Sequence, residues 1–65
     1  MRETIARIEG RINRQKFSRS IIIRNGLVVV VHQETGDLLG LTLAEVGDLC
    51  RERGWRLSVV HEYQT

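Results

Sequence analysis

The stretch Ile21-Ile22-Ile23-Arg24-Asn25-Gly26-Leu27-Val28-Val29-Val30-Val31 decides the fold. Two β-branched runs flank an Asn-Gly pair, which accepts positive φ at both central positions of a two-residue hairpin turn. Counting outward from that turn sets Arg24 opposite Leu27, Ile23 opposite Val28, Ile22 opposite Val29 and Ile21 opposite Val30. Side chains alternate along a strand. Ile21, Ile23, Val28 and Val30 are therefore expected on one face, and Ile22, Leu27, Val29 and Val31 on the other. Both faces are apolar, whereas a hairpin with one wet side carries polar residues there. The second face needs a cover, and a homodimer through Ile22, Leu27, Val29 and Val31 is the expected one.

Chain length points the same way. Sixty-five residues make one domain, expected to span 1–65. A core this small is usually reinforced by disulfides, a metal or association. Cys50 is the single cysteine, which excludes an intrachain disulfide, and with His32 and His61 it makes a poor zinc set. No metal and no cofactor are expected. Met1-Arg2-Glu3 opens without an apolar segment of the signal-peptide kind. No apolar run approaches the length of a membrane span, so a cytoplasmic protein without membrane contact is expected.

Upstream of the hairpin, Ile5, Ile8 and Ile12 recur at i, i+3 and i+7. That spacing predicts a helix over 3–14, with Arg7, Arg11 and Arg14 on another of its faces. Residues 1–20 then form a basic N-terminal helix and connector, and residues 21–65 a sheet-plus-helix core. Downstream, Glu34-Thr35-Gly36-Asp37 reads as a turn and Leu38, Leu39 and Leu41 as a short third strand. Thr42 and Glu45 form a capping box, with Leu41 and Val46 as its hydrophobic staple. The helix they open is expected to run to Arg53 and stop at Gly54, with Leu43, Val46, Leu49 and Cys50 inward. Trp55, Leu57, Val59, His61 and Tyr63 alternate with Arg56, Ser58, Val60 and Glu62, giving one buried and one mostly wet face of an outer strand beside the hairpin. The expected architecture is α+β in the order α-β-β-β-α-β, an antiparallel meander with a C-terminal strand added after the second helix.

Ile23-Arg24-Asn25-Gly26, then Thr35-Gly36, then Gly40 and a helix, resembles the three-stranded sheet plus helix of integrase arm-type DNA-binding domains over residues 21–53. That resemblance implies contact with DNA through an exposed sheet face, whose positions here are mostly Ile and Val.

Charge is divided unevenly. Residues 1–26 hold seven basic and two acidic side chains, whereas residues 27–65 hold three basic and six acidic ones. A basic front half points to an anionic partner. Arg7, Arg11, Arg14, Lys16 and Arg19 are the candidate nucleic-acid-binding residues, each able to meet a phosphate. The row Glu45, Asp48 and Glu52 offers an alternative partner-binding surface, as in an inhibitor encoded by a phage or mobile element that binds a host nucleic-acid enzyme or immune effector. No catalytic residue is expected. Cys50 sits at the C-terminal end of its helix, where the dipole disfavours a thiolate. Two histidines alone define no site, and no glycine-rich phosphate loop is present. The sequence thus points to a small regulatory binding protein rather than an enzyme.

Overall fold

The Asn25-Gly26 turn forms as read, with φ of 53° and 86°, and it joins two strands of a four-stranded antiparallel sheet. The computed structural model describes Arg2–Gln64. Its elements are β1 (Arg2–Ile12), β2 (Gln15–Arg24), β3 (Leu27–Val30), a 3-10 turn (Gln33–Leu38), α1 (Leu43–Arg53) and β4 (Arg56–Gln64). The sheet order is β3-β2-β1-β4, so β1 and β2 are its central strands.

The N-terminal helix expected over 3–14 is a strand. Thr4, Ala6 and Ile8 are buried in alternation, and Ile5 lies on the opposite face. The isoleucine spacing that fits a helix face also places Ile8 and Ile12 two strand repeats apart, and pairing with strands on both sides settles the period. The boundary expected after residue 20 disappears with it, because β1 and β2 pair along ten positions from Glu3↔Arg24 to Ile12↔Gln15.

The third strand expected at Leu38–Leu41 is also absent. Thr35 Oγ1 accepts from His32 N–H and Thr35 N–H donates to His32 O, both at 3.1 Å, the backbone coils through Gln33–Leu38, and Leu38 is buried. Only a bridge remains of the expected pairing: Val28 N–H donates to Leu41 O and Gly40 N–H to Val28 O, both at 2.9 Å. These bonds cover part of the outer edge of β3, a common way of blunting a sheet margin.

Helix α1 forms as its sequence dictates. Thr42 accepts from Glu45 N–H while the Glu45 carboxylate accepts from Thr42 N–H at 3.0 Å. At the other end Gly54 is left-handed, and Trp55 N–H donates to Cys50 O at 2.8 Å. That 6→1 bond closes a Schellman motif. Val46 and Cys50 are buried against Ala6, Ile8, Ile21, Ile23, Val28 and Leu38, with Leu43 and Leu49 packed at the margin. The helix therefore covers one face of the sheet, and the other face is open.

Bulges change the two outer strands. Ile23 pairs with Val28 as expected, but Ile22 pairs with Val30, leaving Val29 as the extra residue. Val30 thereby turns to the open face, and Val31 turns back toward the core. In β4 a register shift lies between the pairs Ile5↔His61 and Ala6↔Val59. It moves His61 and Tyr63 to the face of Arg56, away from that of Leu57. The single buried face expected along 55–63 therefore ends at Leu57, and Val59, Val60 and Tyr63 are about half exposed. The strand is an outer one as expected, but its neighbour is β1, not the apolar hairpin. No helix among the described residues is long and apolar enough to cross a membrane.

Candidate nucleic-acid interface

The open face divides along its length. Near the Asn25-Gly26 turn it carries Ile5, Ile22, Leu27, Val30 and Tyr63, bordered by the Arg24–Glu3 ion pair at 3.0 Å. Toward the opposite end it carries Arg7, Arg11, Lys16 and Arg56, with Ser18, Ser20, Ser58 and Glu9 between them. The division follows from register, because Arg11 pairs with Lys16 and Glu9 with both Ser18 and Arg56.

This basic end is a two-stranded arm. The last β1–β4 pair is Glu9↔Arg56, and β3 meets β2 only from Ile22 to Arg24, so Gly10–Phe17 pairs only with itself. The molecule is elongated accordingly, 39 × 18 × 17 Å. The arm turns at Asn13-Arg14, both at positive φ, 53° and 69°. A non-glycine residue there costs about 1 kcal/mol, so Arg14 holds the apex in a conformation that glycine would adopt freely.

At its root the arm is fixed to the body by Trp55. The indole lies so close over Gly10 that a Cβ on that residue would stand 2.3 Å from Trp55 Cδ1. Phe17 meets the indole edge-on at 4.9 Å between centroids. The Arg53 guanidinium lies 4.9 Å over the ring, a cation–π contact, and is hydrogen-bonded to Asp37. That bond holds the Asp37 carboxyl below its usual range. Trp55 Nε1–H donates to Arg11 O at 3.4 Å.

Four of the five basic residues expected from sequence therefore share one region. Among the described residues Arg7, Arg11, Arg14 and Lys16 have no carboxylate within 4.0 Å, and neither has Arg56. Arg19 lies apart. It shares the face of Ile8 and is bonded to Glu34 through two contacts of 3.0 and 3.1 Å. The hydrogen bond to Arg19 holds the Glu34 carboxyl below its usual range.

Arg56 escaped the sequence reading because it sits in the acidic half of the chain. The only signal for it was its place just after the Gly54 helix stop. The acidic row is less free than its spacing implies: Glu45 is spent on the Thr42 cap, which lowers its pKa, and Asp48 faces Arg51 at 3.6 Å. Among the residues expected at a dimer interface, Leu27 and Val29 are exposed and Ile22 is half-buried, while Val31 packs against the core of its own chain.

The groups considered for catalysis stay apart. His32 follows β3 and His61 lies on β4, at opposite margins of the sheet, and the His61 ring meets Tyr63 at a tilt of 57° with 4.2 Å between centroids. Burial raises the Cys50 pKa, so its thiol stays protonated at neutral pH. No group of three or more His, Cys, Asp or Glu among the described residues is placed to hold a metal ion. No family model, curated protein or solved structure matches the chain.

Proposed function

We propose that this is a small non-enzymatic regulatory protein that binds nucleic acid through the basic arm. One observation carries the reading: Arg11, Arg14 and Lys16 on the arm, with Arg56 at its root and Arg7 beside it on the open face of the sheet, have no carboxylate within 4.0 Å among the described residues. Cations left unpaired on a projecting ribbon are set to replace the counterions of a phosphate backbone. The arm also breaks two rules of hairpin stability. A left-handed arginine sits at its apex, and two cations, Arg11 and Lys16, face each other across its strands. Departures of this kind concentrate at functional surfaces.

The test is a mobility-shift titration of short DNA and RNA over a range of salt. Binding is expected at low salt and should weaken steeply as salt rises. Each phosphate contact removed lowers the slope of log K against log salt by about 0.9 on a duplex, so Arg11→Ala with Lys16→Ala should lower it by nearly twice that. Absence of binding by duplex, single-stranded DNA and RNA at low salt removes the proposal.

A second reading, a protein-interaction module or inhibitor, draws on the apolar half of the open face. Leu27, Val30 and Tyr63 there are between 42% and 49% exposed. Leu27→Glu with Val30→Glu would abolish a protein contact, or a homodimer, made through that half. The double change would leave salt-dependent binding by the arm intact.

A further inference from the structure

We infer that the cleft at the root of the arm is a seat for one backbone phosphodiester of a nucleic-acid strand, held by the Arg11 backbone N–H together with the Lys16 and Arg56 side chains. The inference rests on the nucleic-acid reading above and adds a defined anchoring point to it.

The cleft has a volume of about 660 Å³ and is lined by Arg11, Lys16, Ser18, Arg53, Arg56 and Glu9, among others. That space accepts a phosphate together with its flanking sugars. Its floor is the free margin of β1. In an antiparallel strand the N–H and C=O of one residue point to the same side, and successive residues alternate. Arg11 O points outward, because it accepts from the Trp55 indole. Arg11 N–H therefore points outward too, beyond the last β4 pair at Glu9, and no acceptor from the described residues meets it. An unpaired backbone donor among cations is a recurrent phosphate contact.

The cations around it come from four elements. Arg11 and Lys16 flank the donor on the arm, Arg56 begins β4, and Arg53 ends α1. Arg53 is already held by the Asp37 carboxylate and the Trp55 ring, so it shapes the wall of the cleft and leaves the phosphate to Lys16 and Arg56. Glu9 is the one carboxylate in the lining. Its charge opposes a doubly ionised terminal phosphate more than a singly charged diester, which selects an internal linkage of the strand.

Trp55 is the only tryptophan in the chain and reports from beside the cleft, where its indole N–H donates to Arg11 O. The full-length protein is titrated with a short mixed-sequence DNA carrying hydroxyl ends, as single strand and as duplex. Parallel titrations use the 5′-phosphorylated strand, the same sequence with uncharged methylphosphonate linkages, and inorganic phosphate at matched ionic strength. Trp55 emission and the Arg11 amide resonance are expected to shift with the hydroxyl-ended DNA and not with the methylphosphonate strand. A 5′-phosphate should add less than about twofold in affinity, and inorganic phosphate should not compete. Arg56→Gln and Lys16→Gln should each weaken binding about tenfold, the scale of a lost charged hydrogen bond, with melting curves confirming that both variants fold. Arg51→Gln, on the exposed side of α1 and outside both the cleft and the basic arm, should leave the Trp55 and Arg11 shifts in place.

DNA that binds without moving either reporter overturns the seat and leaves the nucleic-acid reading standing. A large gain from the 5′-phosphate also overturns it, in favour of a terminus-binding site. Failure of every nucleic acid to bind at low salt overturns both.

Discussion

The chain makes the same kind of two-residue turn twice, at opposite ends of β2. Asn13-Arg14 and Asn25-Gly26 both hold positive φ at their two central positions, 53° and 69° in one case, 53° and 86° in the other. Around Asn25-Gly26 local preferences agree. Glycine takes the second position, Ile23 pairs with Val28, and Arg24 reaches Glu3. Around Asn13-Arg14 they conflict, because an arginine takes the glycine position and Arg11 opposes Lys16. One hairpin end is built for stability and the other retains exposed charge at a cost to it. Under the function proposed above, that cost is what nucleic-acid binding asks of the arm.

Four experiments test that contrast. The largest effect is expected at the root of the arm. Gly10→Ala would drive a methyl group into Trp55, at 2.3 Å from Cδ1. Overpacking of this kind costs about 2 kcal/mol, or about 10 °C of melting temperature in a domain this small. A variant that melts like the parent would mean that the indole does not clamp the arm.

Next come reciprocal exchanges at the two turns. Gly26→Arg should lower stability by about 1 kcal/mol, while Arg14→Gly should raise it by about 0.5 kcal/mol and weaken nucleic-acid binding. Denaturant unfolding measures the first two changes and a mobility shift the third. If Arg14→Gly is no more stable than the parent, the apex carries no strain and the contrast fails.

Lys16→Glu comes third. It replaces a facing pair of cations by an opposite-charge pair, so stability should rise by up to about 0.5 kcal/mol as nucleic-acid binding falls. Equal loss of both would mean that Lys16 supports the fold.

The smallest effect is the dependence on acid. Glu34, Asp37 and Glu45 all titrate below their ordinary values of 4.5, 3.8 and 4.5, through hydrogen bonds to Arg19, Arg53 and Thr42 respectively. The unfolded chain takes up these protons first as pH falls. Their contribution is complete above about pH 5 and is lost progressively below the ordinary values, as the lower folded pKa values are reached. Melting temperature should be flat from pH 7 to about 5 and decline below that. Arg19→Gln should flatten part of the decline.

The same contrast explains what the sequence made legible. Asn25-Gly26 announces its turn, Thr42 to Glu45 announces a helix start, and Gly54 its stop, because each rests on a local rule that the fold obeys. Asn13-Arg14 announces nothing, since it lacks the glycine. The inward row of β1 also hides its period: Thr4, Ala6, Ile8, Gly10 and Ile12 contain only two large apolar residues. Three isoleucines at helical spacing then dominate the reading. The bulges beside Val29 and Val60 arise from pairing across the sheet, so no neighbouring residue reveals them. For the candidate site, the cations of residues 7–16 were readable from charge alone. Their grouping with Arg56 and the Trp55 clamp depends on β4 returning beside β1, a contact between the two ends of the chain.

The register shift in β4 has a consequence for how such a protein diversifies. Beyond it, His61, Glu62 and Tyr63 each face the side of the sheet opposite to the one that unbroken alternation from Leu57 would give. Removing Val60 alone would make Ala6↔Val59 and Ile5↔His61 consecutive pairs of a regular ladder, and the three side chains would keep their faces. The exposed surface is thus buffered against the loss of one codon at this point, whereas the loss of Val59 as well would turn His61 and Tyr63 to the helix side.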